Sequence, residues 1–177
     1  IAALGGTVSM QSVKSGEGVV PSVSGETLLN TVPELKTLAQ LTVETLGLLP
    51  GASLDFEYLL SVLCWANFQI NQGAAGVIIV QGTDTLEESA TFFDHLWDHD
   101  EPLVLTGAMR SAAQAGADGP ANLLDAGRVA LAQCSRGRGA QVVINGQIHR
   151  ASAVRKVDSM ALHAFASPVT GPAGVLM

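Results

Sequence analysis

Short apolar runs rich in β-branched residues alternate along this chain with longer amphipathic stretches, and that alternation narrows the folds open to it. Residues 76–80, 102–106 and 141–144 are apolar runs of strand length with little polar alternation, as expected of strands covered on both faces. Between them, apolar side chains recur at helical spacing. Leu86, Ala90, Phe93 and Trp97 line one face of a helix that opens near Leu86, and Asp118-Gly119-Pro120 opens another that runs to about Gln133, with Asp118 as its N-cap. Buried strand, helix, buried strand is the βαβ pattern. The sequence therefore predicts an α/β fold: a twisted, mainly parallel sheet with helices on both faces. Residues 1–4 read as the tail of a first strand and 41–46 as another. Residues 26–30 and 33–39 read as short helices, and 55–71 as a longer one in which Phe56, Leu59, Leu60, Leu63 and Cys64 share helical spacing. The Gly- and Ser-rich stretch 9–24 reads as a mobile loop. The Ala-, Ser- and Val-rich tail from Ala151 carries no clear period.

The 177 residues suit one domain with a substantial core. Apolar residues make up 47% and charged residues 14%, a globular composition. Nine basic against sixteen acidic residues leave a net charge of −7, which argues against nucleic acid or an anionic membrane as partner. No apolar run is long enough to span a bilayer, and no basic segment leads into an apolar one as in a secretory leader. The compartment, cytoplasmic or periplasmic, stays open. Cys64 and Cys134 both fall in helical stretches and make no disulfide framework.

Chemistry concentrates in turns at strand ends, where ligands bind in open α/β sheets. Thr7 stands there in Gly5-Gly6-Thr7, and Thr83 stands there in Gly82-Thr83-Asp84-Thr85. Thr83 and Asp84 precede a helix N-terminus, whose free N–H groups favour negative charge. Two readings stand for this run. Its residues cap the helix, with Thr85-Leu86-Glu87-Glu88 as a capping box, or Gly82, Thr83 and Asp84 form a substrate site. One cap needs one such residue, and the run supplies three. Thr7 needs a proton acceptor before its hydroxyl can attack. Of the three lysines, Lys14, Lys36 and Lys156, the last lies in the apolar run Val154-Arg155-Lys156-Val157 and is the candidate; the alternative is a solvated lysine. His95 and His99, four apart among Asp94, Asp98 and Asp100, have the spacing of a metal pair. No third ligand stands at a recognisable spacing, and a solvated helix end accounts for them. Neither a phosphate-binding lysine motif nor a dinucleotide fingerprint is present, which argues against a nucleotide-binding domain. Arg110 reads as an anchor of the loop 107–116.

Together the motifs carry a resemblance. Gly5-Gly6-Thr7-Val8, Gly82-Thr83-Asp84-Thr85-Leu86-Glu87-Glu88, Val104-Leu105-Thr106-Gly107-Ala108-Met109-Arg110, Ala117-Asp118-Gly119-Pro120 with Asn122-Leu123-Leu124, Asn145-Gly146-Gln147-Ile148 and Lys156 resemble, in order and over nearly the whole chain, the bacterial-type L-asparaginase/glutaminase amidohydrolases. The resemblance implies that residues 1–177 are the N-terminal catalytic domain of that family, truncated at both ends and without its smaller C-terminal α/β domain. It implies conversion of L-asparagine to L-aspartate and ammonia through a threonine acyl-enzyme, with no metal or organic cofactor. Thr7 matches the nucleophile. Thr83, Asp84 and Lys156 match a second polar cluster in which the lysine helps activate the threonine. The Thr83 backbone N–H matches an oxyanion donor, in a substrate site that includes Gly82. Ser53 matches the residue that holds the substrate α-carboxylate, Asp84 the partner of its α-ammonium, and Ala108 the residue whose carbonyl meets the leaving amide. A homo-oligomer is implied, commonly a tetramer of tight dimers.

The chain departs from the family pattern at three points. The family's first loop often supplies a tyrosine, whereas the only tyrosine here, Tyr58, lies in the predicted helix 55–71. Leu54 follows Ser53 where a glutamine is common, which bears on the α-ammonium and on action toward glutamine. Nothing matches the smaller domain, which in the family contributes an acidic residue to a neighbouring subunit's site. The alternative function is an isolated or partner-dependent asparaginase-like module without activity of its own, such as the asparaginase-like subunit of transfer-RNA-dependent amidotransferases.

Overall fold

The computed structural model describes residues 1–6 and 24–177, together with the strand pairing of residues 10–11 and 20–21. In chain order the elements are β1 (Ala2–Gly5), β2 (Met10–Gln11), β3 (Val20–Pro21), α1 (Gly25–Asn30), α2 (Leu35–Leu38), β4 (Glu44–Leu49), α3 (Phe56–Asn71), β5 (Val77–Val80), α4 (Leu86–Leu96), β6 (Leu103–Thr106), α5 (Gly119–Leu131), β7 (Ala140–Ile144), β8 (Gln147–Arg150), β9 (Arg155–Lys156), β10 (Phe165–Ala166) and β11 (Gly174–Val175). The main sheet has seven strands in the order β11-β8-β7-β6-β5-β1-β4. The strands from β4 to β7 are parallel, while β8 and β11 close one edge antiparallel. Small antiparallel pairs form between β2 and β3 and between β9 and β10.

Alternation along each strand divides the core into two layers. Ala2, Leu4, Val77, Ile79, Leu103, Leu105 and Val142 pack on one face with Leu59, Val62, Leu86 and Phe93 from α3 and α4. Ala3, Ile78, Val80, Val104 and Val143 pack on the other with Leu28, Leu35, Leu123 and Ala126 from α1, α2 and α5. Helices thus cover both faces, as the apolar runs predict. From β1 the chain passes to β4 on one side, then crosses to β5 on the other. That reversal opens a crevice outside the carboxyl ends of β1 and β5.

Several local expectations shift. The strand expected over 41–46 runs over Glu44–Leu49, because pairing with β1 sets its place (Ala2 opposite Glu44, Gly5 opposite Leu49) and overrides local apolarity. In α3, Leu59, Val62, Leu63 and Ala66 face the core, whereas Phe56, Leu60 and Cys64 point outward. Asp55 caps this helix, accepting the Tyr58 N–H at 2.8 Å. α5 stops at Leu131, and Cys134 lies in the 3-10 turn that follows; both cysteines are exposed and free. β7 and β8 form a hairpin through Asn145 (φ 51°) and Gly146 (φ 70°), a pair suited to the left-handed turn. The stretch read as a mobile loop lies mostly outside the described residues; Ser24 at its end caps α1. Among the described residues no helix is long and apolar enough to cross a membrane.

Candidate active site

Three glycine-bearing turns meet backbone to backbone at the carboxyl edge of the sheet. Gly6, just past β1, has φ +82°, and a Cβ there would sit 2.2 Å from the nitrogen of Gly82, just past β5. A Cβ on Gly82 would lie 2.9 Å from the nitrogen of Gly51, just past β4. Only bare backbone allows this approach. The paired glycines therefore bring three strand ends into one crevice. Thr7, the next residue after Gly6, lies outside the described residues.

Two 3-10 turns floor the crevice. Gly51–Ser53 joins β4 to α3 and leaves Ser53 exposed; Thr83–Thr85 joins β5 to α4. The expected capping box does not form. Thr85 instead donates its hydroxyl to the Gly51 carbonyl at 2.8 Å, which ties the two turns together. Thr83 is buried, with its methyl against Gly107. Beneath it, the wholly buried Gln81 donates to Ser89 Oγ at 3.0 Å.

Lys156 enters from β9. Its Nζ donates to Thr83 Oγ1 at 2.9 Å and to Asp84 Oδ1 at 3.1 Å. The lysine side chain is 18% exposed and the aspartate 71%. A pair with so exposed an acid contributes only about 0–1 kcal/mol to stability. What it supplies is orientation, an ammonium held against the Thr83 hydroxyl. A recess of about 260 Å³ opens over Asp84 and the stretch from Lys156 to Ser159. A larger cavity, about 410 Å³, lies at the opposite ends of the strands among Trp65, Val77 and Ala130, away from these polar groups.

The loop after β6 is held from α5. Asp118 stands at the N-cap position, but its carboxylate turns to the loop, accepting the N–H groups of Met109 at 3.0 Å and Arg110 at 2.8 Å. Asn122 donates to the Gly107 carbonyl at 3.0 Å and accepts the Asn145 N–H at 2.8 Å. Ala108 is fully buried within this frame. Arg110 donates to the Gly116 carbonyl at 3.3 Å, as a loop anchor should. His99 is bonded to Asn67 at 3.0 Å and lies edge-on to Trp97; among the described residues no three His, Cys, Asp or Glu side chains gather as a metal site.

The structure thus brings Gly82, Thr83, Asp84 and Lys156 together, sets the Ser53 turn beside them, and places Ala108 behind Gly107. Two contributors, Asn122 and Glu87, stand in the quoted motifs but were given no role in the site. Asn122 reaches a loop and a hairpin from one helix. Glu87 accepts the backbone N–H of Lys156, a residue far along the chain. No spacing rule connects such distant positions.

The family model for the asparaginase N-terminal domain matches residues 1–177. A probable periplasmic L-asparaginase of Haemophilus influenzae is 36% identical over 99% of this chain and 51% of its own length. L-asparaginase 2 of Escherichia coli is 33% identical over 99% and 51%, and a glutaminase-asparaginase of Pseudomonas fluorescens 33% identical over 100% and 50%. The crystal structure of a probable cytoplasmic L-asparaginase from Campylobacter jejuni matches with a TM-score of 0.93 at 30% identity, over 99% of this chain and 54% of that one. The chain spans about half the length of the curated relatives it matches.

Proposed function

The chain belongs to the asparaginase family, and from that premise we propose that it carries the catalytic residues of an amidohydrolase that converts L-asparagine to L-aspartate and ammonia through a threonine acyl-enzyme. The observation that supports this most is the Lys156 ammonium within hydrogen-bond distance of both Thr83 and Asp84 at the crevice between β1 and β5.

Thr7, one residue beyond Gly6, attacks the carbon of the side-chain amide. A C–O bond forms, and the hydroxyl proton passes to the leaving nitrogen. The oxyanion takes a hydrogen bond from the Thr83 backbone N–H, a donor of the kind that contributes roughly 3–4 kcal/mol in acyl transfer. The C–N bond breaks, ammonia departs, and an aspartyl ester remains on Thr7. Thr83, oriented by Lys156, positions the water that opens this ester and returns the proton to Thr7. The exposed carboxylate of Asp84 receives the substrate α-ammonium, the turn at Ser53 its α-carboxylate, and the Ala108 carbonyl the leaving amide. Leu54 beside Ser53 supplies no polar contact, which favours the shorter substrate over glutamine. A homo-oligomer is part of this reading.

Purified protein given L-asparagine should release ammonia and aspartate in equal amounts. Rapid quenching followed by peptide mapping should find an aspartyl adduct on Thr7, and Thr7→Ala should abolish both signals. An adduct on another residue would remove Thr7 from the role. Binding of L-asparagine without turnover would move the reading to a partner-dependent module.

A further inference from the structure

The lysine of the candidate site stands on a strand too short to hold itself. β9 and β10 have two residues each, and a ribbon of that size is not stable alone. Its ladder also faces away from the lysine's own N–H. Val157 donates to the Ala164 carbonyl at 2.7 Å, so Lys156 opposite Phe165 is at a non-hydrogen-bonded position, with its N–H directed away from β10. That half-buried donor needs a partner, and the Glu87 carboxylate takes it. Glu87 follows Thr83 by four residues, so one turn of chain carries both. Lys156 is therefore gripped twice by residues 83–87: its ammonium by Thr83 and Asp84, its backbone by Glu87. Further along the same helix, the Thr91 hydroxyl reaches the Ala151 carbonyl at 3.4 Å, and Ala151 and Val154 are buried against α4.

We infer that Glu87 is a positioning residue, which sets the reach of the Lys156 ammonium to Thr83 by fixing the lysine's backbone on α4, the helix that follows directly from the threonine's turn. The inference rests on the amidohydrolase reading for its catalytic consequence but not for its geometry. An acceptor oxygen at this place, rather than a charge, is what the backbone N–H requires. Glu87→Gln keeps that oxygen, Glu87→Ala removes it, and Glu87→Asp draws it back by one methylene.

The sequence has only three lysines, Lys14, Lys36 and Lys156, which makes lysine reactivity a direct readout. Methylation with ¹³C-formaldehyde and a mild reductant gives one NMR signal per lysine, and Lys156→Met assigns the one of interest. In the wild type, Lys156 should react at least about tenfold more slowly than the exposed Lys36. In Glu87→Ala it should come within about twofold of Lys36, while Glu87→Gln should stay near the wild type. Should Glu87→Ala fail to fold, Glu87→Asp takes its place with the same expectation. In parallel, kcat for L-asparagine should fall at least about tenfold in Glu87→Ala with KM changing less than about threefold, and Glu87→Gln should restore it. In a Lys156→Met background, Glu87→Ala should cost nothing further. Unchanged Lys156 reactivity in Glu87→Ala, equal damage in Glu87→Gln, or an additive double variant would each overturn the assignment. A wild type that turns over no L-asparagine counts against the amidohydrolase reading alone, because the reactivity measurement still decides the role of Glu87.

Discussion

Thr83 serves two purposes through two atoms. Its methyl packs against Gly107, and its hydroxyl takes the bond from Lys156 at 2.9 Å. Valine keeps the shape and loses the hydroxyl; serine keeps the hydroxyl and loses the methyl. On the proposed mechanism, Thr83→Val should lower kcat for L-asparagine by about three orders of magnitude or more, some 4 kcal/mol, with little change in thermal midpoint. Thr83→Ser should stay within about tenfold of the wild type, at some loss of stability. Steady-state ammonia release with calorimetry separates these outcomes. A Thr83→Val protein within tenfold of the wild type would take the hydroxyl out of the chemistry. At this scale the sequence was informative where backbone decided the matter. Gly6 and Gly82 are glycine because a Cβ would strike the facing turn, and residues so constrained declare themselves. The fate of a side-chain hydroxyl is less visible. Thr85 reads as a helix cap and instead bonds Gly51, since a threonine at a helix start has several acceptors and only the fold selects one.

Elements in this chain were legible in proportion to their length. α3 and α4 announce themselves by period, because enough residues sample the buried and exposed faces, whereas β5, β6 and β7, buried along their whole length, announce themselves as unbroken apolar runs. The Asn145-Gly146 pair carries a strong turn signal, and it joins β7 to β8. β9, β10 and β11 have two residues each, too few for any period. Asn122 shows what joins such pieces. From α5 it reaches the loop after β6 and the β7–β8 hairpin, and it is 2% exposed. Replacing it with alanine leaves the Asn145 N–H and the Gly107 carbonyl short of a partner, at about 1–3 kcal/mol for each group so exposed. We expect Asn122→Ala to lose about 3 kcal/mol in urea unfolding. Arg128→Ala, on the outer side of the same helix, should stay within about 0.5 kcal/mol of the wild type. Equal, small losses in both variants would show that the network is replaceable.

For the molecule as a whole, one buried histidine couples the last strands of the sheet to proton concentration. His149 on β8 is fully buried, its Nδ1 lies 2.9 Å from Ser167 Oγ just past β10, and its Nε2 has no partner among the described residues. Burial holds its pKa below the ordinary histidine value. The native protein therefore keeps the ring neutral, while the unfolded chain takes up a proton near pH ~6.5. Below that pH the unfolded state binds more protons, so stability is full above about 6.5 and declines as pH falls toward the folded-state pKa. The carboxylates act in a lower window. Asp158, whose pKa is lowered by the N–H groups of Met160 and Ala161, and Glu101, lowered by Arg136, lose their contribution only as pH falls into the ordinary carboxylate range, about 4. Urea midpoints taken between about pH 7.5 and pH 5.5 should therefore fall in the wild type, above the window in which Asp158 and Glu101 lose their contribution. In His149→Asn, which keeps an amide near the Ser167 hydroxyl and cannot take the proton, the fall over the same interval should be shallower than in the wild type. The variant should be less stable than the wild type at pH 7.5 and close the gap at pH 5.5, because protonation penalises only the chain that has a ring to protonate. Parallel midpoint curves for the two proteins would assign the decline to another group.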